Sequence, residues 1–120
     1  MRRSLSKTQI IRKKEEIDRI FKQGKRFTCE KMRLIALNND LSFDRIIVIP
    51  ARHYGTAVER NLLRRRVKEI FRLWNDRKGD MSSTGTDGKD FVLVVYPGRV
   101  SDYSLLESDL LMLLDRTNRK

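Results

Sequence analysis

Apolar residues recur along this chain at two different periods, and the changes of period divide it into elements. From Thr56 to Arg72 the sequence reads TAVERNLLRRRVKEIFR, followed by Leu73 and Trp74. Leu63, Val67, Ile70 and Trp74 return at intervals of four, three and four with Phe71 beside them, so a helix here has one apolar stripe for the core. Thr56 and Glu59 have the spacing of a capping box, in which hydroxyl and carboxylate satisfy amide groups of the first turn, and Gly55 permits a sharp turn into the helix. Upstream, Ile17, Ile20 and Phe21 predict a short amphipathic helix over 14–23, with Gly24 as a left-handed C-terminal cap. Downstream, Ser104 and Glu107 suggest a second capping box ahead of a core stripe of Leu106, Leu110, Leu113 and Leu114.

Between these helices the period falls to two. FTCEKMRLIALNND, from Phe27 on, alternates apolar and polar residues in both phases and reads as one strand with Arg33 and Ile35 on its second face. Asn38, Asn39 and Asp40 form a turn, and the β-branched run Arg45–Ile49 reads as a central strand paired with the first as a hairpin, ending at Pro50. Phe91–Tyr96 (FVLVVY) is apolar throughout, as in a strand buried on both faces. A helix and a loop separate it from the preceding strand, which is the length of a parallel crossover. Residues 1–13 read as a loosely ordered basic arm pinned by Leu5, Ile10 and Ile11, residues 79–89 as a flexible loop, and the last residues, RTNRK, as a fraying end. There is no internal repeat, and one domain over 1–120 is the natural reading.

Charge changes the picture of the helix at 56–72. The 120 residues carry 27 Lys and Arg against 16 Asp and Glu, a formal charge of +11, far beyond what solubility requires, so nucleic acid is the leading class of partner. At about 100° per residue, Arg60, Arg64, Lys68 and Arg72 form a row beside the apolar stripe, with Asn61 and Arg65 next to it, while Leu62 and Arg66 point elsewhere. Like charges four apart oppose helix formation, and arginine matches phosphate with a planar fork, so the row points to an anionic partner as against a merely solvated charged face. No apolar run is long enough to span a bilayer and no signal-like stretch is present, so a cytoplasmic, non-membrane protein is expected. Cys29, the only cysteine, excludes an internal disulfide and reads as a strand residue. The single histidine, His53, and dispersed carboxylates supply no acid–base pair or two-metal cluster, so neither catalytic nor metal-ligating residues are assigned.

The pattern Ala57-Val58-x-Arg60-Asn61-x-Leu63-Arg64-Arg65-x-x-Lys68-Glu69-x-Phe71-Arg72 resembles the signature of the protein subunit of bacterial ribonuclease P. KKEEIDRIFKQGKRF is similar to that family's first helix and following glycine, DRIIVIPARHYG to its strand and turn before the signature, and KDFVLVVYPGRVSDYSLLESDLLMLL to its last strand and helix. The resemblance implies an α/β (α+β) two-layer sandwich, a four-stranded mixed sheet with a left-handed βαβ crossover, of the type seen in the second domain of a small-subunit ribosomal protein. It implies a non-catalytic subunit of an endoribonuclease holoenzyme: the RNA subunit, with its own Mg2+, removes the 5′ leader of precursor tRNA, and the protein binds that RNA and the leader without an obligate protein partner. Arg60, Asn61, Arg64, Arg65, Lys68 and Arg72 would then face the catalytic RNA. A cleft between the first helix and the sheet would hold the leader, with Ile17, Phe21, Arg33, Ile35, Arg52 and His53 at matching positions. The sequence departs from the family at Ile17, usually phenylalanine, at Ile35, often tyrosine, at Ala51-Arg52-His53, usually Ser-Lys-Lys, and at Leu62, where the family has arginine and a leucine is left exposed. Phe21 is thereby either the one stacking ring of the cleft or a plain core aromatic. A free-standing RNA-binding or ribosomal accessory protein shares the charge and helix but would not assist tRNA cleavage; a protein-only nuclease lacks the chemistry.

Overall fold

Phe91–Val95 is buried on both faces because helices cover the sheet on both sides, and it lies between two other strands. In this computed structural model, which describes residues 10–41, 43–52, 54–74, 88–96 and 103–117, the elements are α1 (Lys14–Gln23), β1 (Lys25–Thr28), β2 (Met32–Asn38), β3 (Arg45–Pro50), α2 (Ala57–Leu73), β4 (Lys89–Val95) and α3 (Tyr103–Arg116). The sheet order is β1-β2-β4-β3; β4 is antiparallel to β2 and parallel to β3, as the crossover length predicts.

Three readings of the strands are corrected. The stretch from Phe27 is two strands: β1 and β2 form a hairpin closed at Cys29, whose N–H donates to the Met32 carbonyl at 3.0 Å, so Cys29 is a turn residue. β3 does not pair with β2, because β4 inserts between them, and β3 is accordingly an edge strand. The reason lies in the link from β2 to β3, which crosses the start of β4 and binds it. The Asn39 N–H donates to Gly88 O at 3.0 Å, the Gly88 N–H to Leu41 O at 2.8 Å, and the Lys89 N–H to Asp44 Oδ1 at 2.8 Å. Lys89 thus belongs to the sheet and not to the preceding loop, and Gly88, just ahead of it, is bound to the β2–β3 link; residues 75–87 lie outside the described residues, as do 1–9 of the N-terminal arm and 118–120 of the chain end.

The alternation along each strand sorts the core onto two sides. Met32, Leu34, Ala36, Ile46, Val48, Phe91, Leu93 and Val95 face α2 and α3, where Leu63, Val67, Ile70, Phe71, Leu106, Leu110, Leu113 and Leu114 are buried as their spacing predicts. Phe91 meets the edges of Phe71 and Trp74 at centroid distances of 5.7 and 6.0 Å, and the Trp74 indole N–H donates to Asp115 at 2.9 Å, tying the end of α2 to α3. Helix α3 starts at Tyr103, so Ser104 is inside it and does not serve as its N-cap. On the opposite side α1 covers Ile35, Val92 and Val94 with Ile20, joined by Ile11. Gly24 ends α1 in extended, not left-handed, backbone (φ −73°). Glycine is required there by close approach: a Cβ would lie 2.5 Å from Ile35 Cγ2 and 2.6 Å from the Ile20 carbonyl oxygen.

Candidate nucleic-acid interface

Helix α2 begins as its sequence dictates. The Glu59 N–H donates to Thr56 Oγ1 at 3.2 Å and the Thr56 N–H to Glu59 Oε1 at 3.1 Å, behind a left-handed Gly55 (φ +124°). Hydrogen bonding to its carboxyl, by the Thr56 backbone N–H first and the Thr56 hydroxyl second, holds Glu59 below the usual glutamate range. With Leu63, Val67 and Ile70 turned into the core, the neighbouring helical positions face outward as a group. Asn61, Arg64, Arg65, Lys68 and Arg72 line one groove of about 410 Å³, together with Glu69 and Ile10. Two of the arginines are oriented within the helix: Arg64 donates to Asn61 Oδ1 at 3.3 Å, and Arg72 forms an ion pair with Glu69. The groove therefore carries four cations against one carboxylate, and that carboxylate is already paired.

Arg60 does not line this groove. It is half-buried one turn earlier, with its Nε buried and without an acceptor among the described residues. Arg66 turns toward α3 and lies 5.8 Å from the Tyr103 ring centroid. Leu62 is not exposed as expected; half-buried, it lines a small hollow with Tyr54, Leu63 and Leu106, so apolar packing between α2 and α3 accounts for leucine at this position.

The residues expected at the leader come from α1 and the far face of the sheet. Ile17 and Phe21 are half-buried on the cluster of Ile11, Ile20, Ile35, Val92 and Val94, and Arg33 shares that face two residues from Ile35, its Nε lacking an acceptor among the described residues. Ile35 is wholly buried, which corrects its placement as a lining residue: it is floor beneath the surface. Arg52 is exposed just beyond β3, and His53 lies outside the described residues. Two residues that the sequence did not assign to these surfaces join them. Tyr96 is a partly buried aromatic beside the α1 cluster, legible as the next alternate position after Val92 and Val94. Ile10 enters the basic groove because it makes a parallel bridge to Ile46, with the Ile11 N–H donating to Ile46 O at 3.1 Å.

Among the described residues no group of three or more His, Cys, Asp or Glu side chains is placed to hold a metal ion, and no helix is long and apolar enough to cross a membrane. The surface thus offers cations, amides and apolar side chains, the chemistry of phosphate and base binding.

Comparison with known proteins gives a consistent match. The family model for ribonuclease P covers residues 5–118. The ribonuclease P protein component of Syntrophus aciditrophicus is 35% identical over 74 residues, a stretch that spans 62% of this chain and only 62% of that relative. That of Borrelia turicatae is 33% identical over 102 residues, covering 85% of this chain and 83% of the relative. Among solved structures, the RNase P protein from Thermotoga maritima superposes with a TM-score of 0.67 at 29% identity, over 88% of this chain and 94% of that one.

Proposed function

Because the chain belongs to the ribonuclease P protein family, we propose that it is the protein component of a tRNA-processing ribonucleoprotein in the cytoplasm, assisting an RNA subunit that removes the 5′ leader of precursor tRNA. The observation that carries this reading is the α2 groove, where Arg64, Arg65, Lys68 and Arg72 face one paired carboxylate. Cations so concentrated neutralise phosphates that would otherwise repel one another in a folded RNA, and Asn61 and Glu69 hold two of the guanidinium forks in orientation. Arg60, half-buried one turn earlier on the same helix, extends the row.

In this reading α1 and the far sheet face hold the single-stranded leader. Phe21 and Tyr96 offer aromatic faces, and Arg33 and Arg52 offer charge, a combination that tolerates different leader sequences. The Mg2+ ions and the cleavage chemistry belong to the RNA; the protein contributes positioning and phosphate neutralisation and does not cleave alone.

Reconstitution with the cognate RNA at low Mg2+ tests the proposal: the protein is expected to increase precursor-tRNA cleavage. The double variant Arg64→Ala, Arg65→Ala is expected to bind the RNA more weakly, with the logarithmic salt dependence shallower by roughly 1.5–2. Unchanged affinity and slope at two salt concentrations would remove α2 from the interface, and absence of stimulation by the wild type would overturn the function.

A further inference from the structure

Two hollows flank Ile10, and two cations line both. The α2 groove has Ile10 facing the basic row. A second hollow of about 320 Å³ follows the outer edge of β3, where Ile10, Ile47, Ile49 and Pro50 share the lining with Arg64 and Lys68. Gripping the backbone of a duplex calls for cations on an accessible surface; aliphatic walls inside concave hollows add nothing to it. An unpaired strand has the matching chemistry, since it presents phosphates and unstacked base faces in alternation.

We infer that the two hollows form one site for an unpaired stretch of the catalytic RNA, with the phosphate linking two successive nucleotides on Arg64 and Lys68 and one base on either side of Ile10. The inference rests on the functional reading above and specifies what the basic groove holds. Each hollow falls within the ~300–1,000 Å³ typical of clefts that enclose small ligands. The dividing wall is fixed in place: Ile10 bridges to Ile46, and its neighbour Ile11 is buried at 1% exposure. Ile47 and Ile49 of the second hollow also pack against the α1 cluster, and the choice of the catalytic RNA over the leader rests on Arg64 and Lys68 of the α2 row lining both hollows while none of Ile17, Phe21, Arg33 or Arg52 lines either.

The test measures fluorescence anisotropy of the full chain with a labelled oligouridylate, with an RNA hairpin duplex of equal phosphate count, and with the catalytic RNA, each at two salt concentrations. Removing the apolar wall by Ile10→Ala is expected to weaken oligouridylate binding roughly three- to tenfold with the salt slope unchanged, and to leave the duplex unaffected. Arg64→Ala is expected to lower the slope by about one. Ile10→Val, which keeps the bridge to β3, is expected to give a smaller loss of the same kind, and thermal melting confirms that each variant folds. Affinity of Ile10→Ala for the catalytic RNA should fall while leader-bearing and mature tRNA are still discriminated as by the wild type. Equal losses on oligouridylate and duplex, or no loss on either, overturn the inference, and a selective loss for leader-bearing tRNA overturns the choice of occupant. A wild type that fails to stimulate cleavage defeats the functional reading, and the oligouridylate comparison still decides what the hollows bind.

Discussion

At Gly24 the side chain that is absent determines how near α1 comes to the sheet. With a Cβ only 2.5 Å from Ile35 Cγ2, Gly24→Ala should push the end of α1 away and destabilise the protein by roughly 1–3 kcal/mol in chemical denaturation. Phe21, half-buried beside the same cluster, has surface to spare for a ligand. Phe21→Ala is expected to reduce affinity for leader-bearing tRNA more than for mature tRNA; equal losses would make it a packing residue. Glu59 gives a pH signature. Its carboxyl is held below the ordinary range by the Thr56 backbone N–H first and the hydroxyl second, so the folded state favours the ionised form. The stabilisation is present above the ordinary glutamate pKa and fades as pH falls through the lowered folded value. The stability difference between wild type and Glu59→Gln should therefore be constant near neutrality and shrink on acidification below the normal glutamate range, as thermal melts across pH would record.

Helix α1 is fastened at both ends by different means. Near its C-terminus, Gly24 allows contact with β2; near its N-terminus, Glu16 accepts from Arg45 of β3 at 2.8 Å, and Arg45 in turn grips Asp90 of β4 through two hydrogen bonds of 2.6 and 2.7 Å. Asp90 also accepts from Asn39 at 2.8 Å. The two ion pairs differ in burial. Asp90 is 2% exposed and Glu16 about a third exposed, so Arg45→Ala, which strands a buried carboxylate, should cost roughly 3–5 kcal/mol, and Glu16→Ala about 1 kcal/mol or less. Denaturant midpoints of the two variants would check the order.

The helices were legible because their pattern is local: a stripe every three or four residues names its own buried face, and Thr56–Glu59 marks its own start. The two hydrophobic faces of the sheet were partly legible, since Arg33 and Ile35 do share the α1 side. Strand neighbours were not. Pairing β2 with β3 is the shortest closure, and only contacts between Asn39, Leu41, Asp44 and the start of β4, about fifty residues apart in sequence, move them apart. The β1–β2 turn carries no glycine, proline or asparagine to announce itself, and Ile10 joins the basic groove through a single bridge that no period encodes.

At the scale of the molecule, β4 is the member on which both halves of the sheet depend. Among the described residues it supplies the strand paired along the length of β3 and one of the two partners of β2, and its side chains reach both cores. A chain truncated after Gly88 keeps the β1–β2 hairpin and the basic helix but loses the strand that joins them. It should show no cooperative thermal transition, although residual helix persists in its circular dichroism.

The sheet has two borders, and each is blunted differently. β1 has four residues, of which Lys25 and Arg26 are exposed. β3 is capped at one end by the Ile10 bridge and closes at Pro50, which has no amide to offer. Among the described residues, neither border presents a long, uncharged row of free backbone groups to a second copy. For a chain of net charge +11, these borders add to charge repulsion in disfavouring edge-to-edge pairing of copies.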